Sequence, residues 1–147
     1  MKAVIEIPEG STDKIEIKDG KAVVDRKLDQ PVPVSYGFIP GTTAEDGDAL
    51  DIFVISNKML NTFDEVEVTI VGMFKCTDQG IQDNKLLAVI SGEKTNGLLI
   101  VHMSKIGNYL MNYKEGFEVQ EYKEFKNKKE VSKYIEEYTV WKHFLQD

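Results

Sequence analysis

Within AEDGDALDIFVI, Asp46, Asp48 and Asp51 bring three carboxylates together in six residues, the last of them at the mouth of an apolar strand. If the chain is extended there, Asp46 and Asp48 share a face, because strand side chains alternate with period two, and Gly47 lets the backbone bend toward a ligand. DGD alone is the sequence of a surface turn. Asp51 argues for more, because an ionised carboxylate inside LDIFVI is expensive to desolvate unless a cation or a donor compensates it. The spacing excludes an EF-hand, whose ligand positions would fall on Leu50 and Asn57.

The same chemistry recurs in TDQGIQDNKLLAVI, where Asp78 and Asp83 flank a glycine turn and Lys85 opens the next apolar run. Read alone, this is a solvated hairpin with Lys85 guarding an edge strand. Together the five aspartates offer only hard oxygen ligands, with no His or Cys among them, which points to Mg²⁺ or Mn²⁺ rather than zinc. Magnesium keeps waters and leans on substrate phosphates, so the cluster implies a phosphorylated partner and cationic groups facing it. Lys14 and Glu16 alternate in KIEIK, Arg26 ends KAVVDR, Tyr36 stands in PVPVSYGF, and Tyr113 and Lys114 close a helix. Each of these alone reads as a solvated charge or a packed tyrosine.

The elements that must position these groups follow from periodicity. AVIEIP, KIEIK, KAVVDR, ALDIFVI, VEVTIVGMF, KLLAVI and GLLIVH read as short strands, mostly antiparallel, broken by turns at 18–21, 40–43, 45–48 and 78–83. The last third changes period. Ser104 is placed to cap a short helix carrying Ile106, Tyr109, Leu110 and Tyr113, with Gly116 as its stop. FEVQEY is a further strand, and about 127–144 is an amphipathic helix presenting Val131, Tyr134, Ile135, Tyr138, Trp141 and Leu145 to the sheet. His102 and His143, the only histidines, fall outside the acidic segments and read as structural. The expected fold is α+β, one domain over 1–147, with strands arranged as a small β-barrel of the OB type and two main helices in the C-terminal third.

Composition narrows the function classes. With 25 acidic against 18 basic residues the net charge is −7, an unfavourable field for nucleic acid. No apolar run approaches the roughly 20 residues that span a bilayer, and MKAVIEIPEG lacks the basic flank and cleavage site of a secretory signal. The single cysteine, Cys76, cannot form an internal disulfide. A cytoplasmic protein is expected.

The ordered set IEIP, K-x-E, DR, P-x-x-YGF, D-G-D-x-x-D, D-x4-D-x-K and NYK, spread over residues 3–114, resembles the family I soluble inorganic pyrophosphatases. The resemblance implies a five-stranded OB-like barrel with additional short strands, holding several Mg²⁺ ions against pyrophosphate and splitting it into two phosphates. It places Asp46, Asp51 and Asp83 on a first metal, Asp51 on a second, Asp78 and Asp83 on a third, and Glu16 on another through waters. Lys14 and Tyr36 would grip the phosphoryl group under attack, Arg26, Tyr113 and Lys114 would neutralise the departing phosphate, and Lys85 and Glu6 would line the site. Asp48 would orient the attacking water or take its proton.

The sequence departs from the family pattern at Ala49, where a proline is usual, at Val32, where a tyrosine is common, and at Phe117, where a lysine often stands. It also lacks the family's N-terminal extension and shortens the stretch between Val89 and the first helix. Homo-oligomerisation is left open by these changes. Two other readings remain: an OB-type module that binds metal or phosphate without turnover, and a phosphohydrolase acting on a larger phosphoanhydride such as a nucleotide.

Overall fold

A computed structural model describes residues 1–94 and 98–146, with side chains described for all of these except 98 and 138–146. The chain runs β1 (Lys2–Ile7), β2 (Asp13–Lys18), β3 (Lys21–Lys27), β4 (Ser35–Ile39), β5 (Leu50–Ile55), β6 (Glu65–Asp78), β7 (Ile81–Gln82), β8 (Lys85–Ile90), α1 (Leu98–Met111), β9 (Phe117–Glu124) and α2 (Lys128–Gln146). This is an α+β fold dominated by one mixed sheet in the order β1-β4-β5-β8-β6-β7, with β9 on β6. Strand β1 pairs with both β4 and β6. β2 and β3 form a separate two-stranded hairpin.

The apolar runs in β5 and β8 have a direct cause. These two strands pair in parallel in the middle of the sheet, where both faces are covered and alternation gives way to continuous hydrophobicity. Ile52, Val54, Leu86 and Ala88 enter one core cluster, against which Val131 and Ile135 of α2 pack. Phe53, Ile55 and Leu87 enter the other, shared with Ile106, Tyr109 and Leu110 of α1. Ile106 and Leu110 are almost wholly buried, and each such side chain contributes roughly 1.5–3 kcal/mol. Of the expected amphipathic stripe on α2, Tyr138, Trp141 and Leu145 lie outside the described side chains, as does His143.

Three expectations are corrected. α1 ends at Met111, so Tyr113 and Lys114 follow the helix in the turn after it and Gly116 is not its stop. GLLIVH is not a strand: α1 begins at Leu98, so Ser104 lies inside the helix and caps nothing. The helical period was present, since Leu99, Met103, Ile106 and Leu110 all pack on one cluster while Ile100 is 75% exposed. A short apolar run by itself cannot distinguish the two states. SYGFI, in contrast, is strand β4. Gly37 marks its close approach to β1, because a Cβ there would stand 1.9 Å from the Val4 carbonyl oxygen.

Candidate active site

The loop between β4 and β5 is folded by its own polar groups. The Thr42 hydroxyl donates to the Ile39 carbonyl (2.6 Å) and accepts from the Leu50 N–H (2.9 Å). The Asp46 carboxylate accepts the Asp48 N–H at 3.0 Å, the Ala44 N–H donates to the Asp48 carbonyl, and Gly47 takes the left-handed conformation at φ 89°. Asp46 and Asp48 therefore sit in a closed turn, not on the extended face that their spacing suggested. Both still face the cleft. Burial, aided by the charges of Asp48 and Asp51, raises the Asp46 carboxyl above its ordinary value although the Asp48 N–H stabilises the ionised form.

Strand pairing then brings the next groups in. Asp51 and Lys85 are register partners across the parallel β5–β8 pair. The Lys85 ammonium donates to Asp51 (2.8 Å), to both oxygens of Asp83 (3.1 and 3.2 Å) and to the Tyr36 hydroxyl (2.8 Å). Lys85 is 5% exposed and stands on a central strand, so it is no edge guard. Burial alone would depress its pKa, but Asp51, Tyr36 and Asp83 hold it well above the usual lysine value. Burial likewise holds the Tyr36 phenol well above its ordinary value, with Asp51 adding to the shift. The ring stays protonated, and its own O–H is left to donate while its oxygen accepts from Lys85.

The third wall comes from two reversals tied together. Gln79, at φ 53°, donates through its backbone N–H to the Gly116 carbonyl (2.9 Å) and through its side-chain amide to the Glu115 carbonyl (3.1 Å). This joins the β6–β7 turn to the turn after α1 and sets Lys114 on Asp78 at 2.8 Å. The hairpin supplies the fourth wall. Lys14 and Arg26 are cross-strand neighbours, and Lys14 lies 3.9 Å from Glu16 and 3.5 Å from Asp25. The Arg26 guanidinium lies 5.3 Å from the centre of the Tyr113 ring.

These walls enclose an open cleft of about 350 Å³, lined by every site residue singled out in the sequence except Arg26, whose guanidinium lies over the Tyr113 ring. Lys18 also lines it, 3.2 Å from Glu16. It was not singled out, although its place in KIEIK puts it on the face shared by Lys14 and Glu16. Among the described residues no three carboxylates stand close enough together to hold a cation as they are; Lys85 is the counter-ion of Asp51 and Asp83, and Lys114 that of Asp78. The donor set nevertheless fits hard divalent cations, being all oxygen. Asp78 Oδ1 is buried without a partner, which is the kind of acceptor a cation satisfies. Arg26 Nη2 is buried without a partner as well, a donor matched to a phosphoryl oxygen.

Glu6 accepts the Ile17 N–H at 2.9 Å. Burial lifts its carboxyl, the Ile17 bond pulls it back, and Asp51 and Glu16 lift it further, giving about 6 against an ordinary 4.5. A raised carboxyl pKa stabilises the fold while the group is protonated in both states. That contribution is present below about 4.5 and is lost as pH rises through about 6. Because Glu6 is partly solvated, the loss is about 1 kcal/mol. Glu6→Gln is expected to flatten this segment of the stability–pH curve, read from urea midpoints in chelator between about pH 4 and pH 7. An unchanged slope rules out Glu6 as its source.

A family model described as inorganic pyrophosphatase matches residues 3–142. An inorganic pyrophosphatase of Corynebacterium efficiens is 36% identical over 135 residues, covering 89% of this chain and 84% of that protein. One from Sulfolobus acidocaldarius is 37% identical over 129 residues, covering 78% and 74%. Among solved structures, the inorganic pyrophosphatase of Neisseria gonorrhoeae superposes with a TM-score of 0.84 at 29% identity, covering 95% of this chain and 89% of that one. The Thermus thermophilus enzyme superposes equally well at 28% identity.

Proposed function

Because the chain belongs to the inorganic pyrophosphatase family it hydrolyses pyrophosphate to two phosphates with the help of divalent cations, and we propose that the cleft described above is where it does so. The observation that carries this reading is the convergence, in one cleft, of aspartates from two separate turns with Lys14, Tyr36 and Lys114. Asp46, Asp51, Asp78 and Asp83 would hold the cations, with Glu16 reaching one through water, and Mg²⁺ is the ion that an all-oxygen set leaning on substrate phosphates favours, with Mn²⁺ as its substitute. Bound there, such ions supply charge against the phosphoryl oxygens and make a coordinated water acidic enough to ionise near neutrality.

The chain's own groups divide the remaining work. Asp48 orients the attacking water and takes its proton. The protonated Tyr36 hydroxyl donates to the phosphoryl group under attack, and Lys14 neutralises its charge. Arg26, Tyr113 and Lys114 receive the departing phosphate, for which the unpartnered Arg26 Nη2 is suited. Lys85 keeps Asp51, Asp83 and Tyr36 at fixed separations, and Glu6 lines the cleft between Asp51 and the hairpin. The transition state spreads charge over the phosphoryl oxygens, so positioning and electrostatics supply most of the acceleration.

The pairings β1-β4-β5-β8-β6 returning to β1 support reading the sheet as a five-stranded OB-like barrel within one domain over 1–147. Among the described residues no helix is long and apolar enough to cross a membrane, and a net charge of −7 disfavours nucleic acid. The reading places the enzyme in the cytoplasm, with pyrophosphate as its small-molecule substrate. Phosphate release from pyrophosphate, measured with Mg²⁺ and then with chelator, tests the reading. Rapid release that chelator abolishes is expected, with nucleoside triphosphates poor substrates. Equal turnover of triphosphates would reassign it to larger phosphoanhydrides, and metal binding without any release would make it a binding module.

A further inference from the structure

Between Asp83 and Lys85, whose side chains meet in the cleft, Asn84 points the other way and is buried. Its surroundings are built around it. The registers Thr77 with Gln82 and Phe74 with Lys85 set Cys76 opposite Asp83. The Asp83 N–H donates to the Cys76 carbonyl at 2.9 Å, as a ladder requires. The reciprocal bond does not go to the Asp83 carbonyl: the Cys76 N–H donates instead to Asn84 Oδ1 at 3.1 Å. The Asn84 side chain thus takes the ladder position of its neighbour's carbonyl at the point where β8 leaves β6 and the two charged residues turn into the cleft. Its amide nitrogen donates to the Tyr134 hydroxyl of α2 at 3.2 Å.

We infer that Asn84 is a positioning residue that couples the docking of helix α2, through Tyr134, to the placement of Asp83 and Lys85. The inference rests on the proposed site, in which Asp83 holds cations. Asn84 touches neither substrate nor metal. It acts by fixing the peptide from which both charged side chains project, and a buried Cys76 N–H deprived of its acceptor would pull that peptide back toward an ordinary ladder. An aliphatic residue at 84 could fill the space and make neither bond.

The test compares full-length Asn84→Ala, Tyr134→Phe and the double variant by three readouts: Mg²⁺ affinity by calorimetry without substrate, the Mg²⁺ concentration giving half-maximal hydrolysis, and hydrogen exchange of the Cys76 amide. Asn84→Ala is expected to weaken Mg²⁺ about tenfold in both metal readouts, Tyr134→Phe about threefold, and the double variant no more than Asn84→Ala alone, because the two act through one bond. Cys76 exchange should accelerate in the same order. Wild-type Mg²⁺ affinity in Asn84→Ala with only a lower melting temperature overturns the inference, as do effects of the two substitutions that multiply. If Asn84→Ala does not fold, Tyr134→Phe decides alone: a weakened Mg²⁺ affinity supports the coupling and a wild-type value removes it. A wild-type protein that releases no phosphate overturns the proposed function instead, and Cys76 exchange in the variants then decides the coupling by itself.

Discussion

Replacing Asp51 with asparagine is expected to lower Mg²⁺-dependent phosphate release from pyrophosphate by about a thousandfold while the fold survives. The expectation follows from where Asp51 stands. It is the second residue of β5, register partner to Lys85, and the only aspartate of the DGDALD segment that lies within an apolar strand. Its carboxylate accepts from Lys85 at 2.8 Å and borders both Asp46 and Asp83, whose carboxyls it helps to raise. A neutral amide keeps one acceptor for Lys85 but removes the charge shared by two of the proposed metal positions. It also leaves a buried ammonium with one carboxylate in place of two, so the melting temperature in chelator should fall. Steady-state phosphate release at saturating Mg²⁺, beside a thermal melt, separates these effects. Hydrolysis at the wild-type rate in a folded variant means that the metal assignment is wrong.

That pairing also shows what the sequence could convey. The strain of an ionised aspartate inside LDIFVI was legible from types and order alone, and so was the expected compensation. The partner was not legible as such. Lys85 opens a run that looks like an edge strand, and only the parallel pairing of β5 with β8 buries it at 5% exposure between two carboxylates. Parallel neighbours are chosen by long-range packing, which leaves no local trace. The turn residues behaved differently: Gly47 and Gly80 take positive φ where the sequence placed reversals.

Where the reading failed, two periods competed. Leu98–Val101 satisfies a strand pattern over four residues, and the helical pattern needs Met103, Ile106 and Leu110 to show itself. Ser104 resembles a cap only where the helix is taken to start after Val101. Strand β4 is hidden for the opposite reason: Ser35 and Gly37 are poor strand formers, kept there because Ser35 is buried and accepts the Glu9 N–H and Gly37 lets β1 approach. The extended pairing of Asp46 and Asp48 failed because an aspartate side chain competes with the ladder for backbone N–H groups, and here Asp46 won the Asp48 N–H. Local rules break in these places where backbone has been bent to aim side chains into the cleft.

Asp48→Ala separates proton transfer from metal binding more cleanly than any other substitution in the cleft. Asp48 takes part in its turn through the backbone: its N–H donates to Asp46 and its carbonyl accepts from Ala44. Its carboxylate makes none of the turn's hydrogen bonds among the described residues, and it is exposed at the cleft mouth. Removing it should therefore leave Asp46, Asp51 and the loop in place. If Asp48 orients the attacking water and accepts its proton, turnover falls by about a hundred- to a thousandfold, whereas Mg²⁺ affinity by calorimetry changes less than about threefold and the melting temperature hardly moves. A larger loss of Mg²⁺ affinity than of turnover would make Asp48 a metal ligand and return the proton to solvent. A turnover within about twofold of wild type would leave the water to be positioned by the cations alone. Asp46→Ala gives the contrasting result, because the Asp46 carboxylate holds the turn: there metal affinity and turnover should fall together.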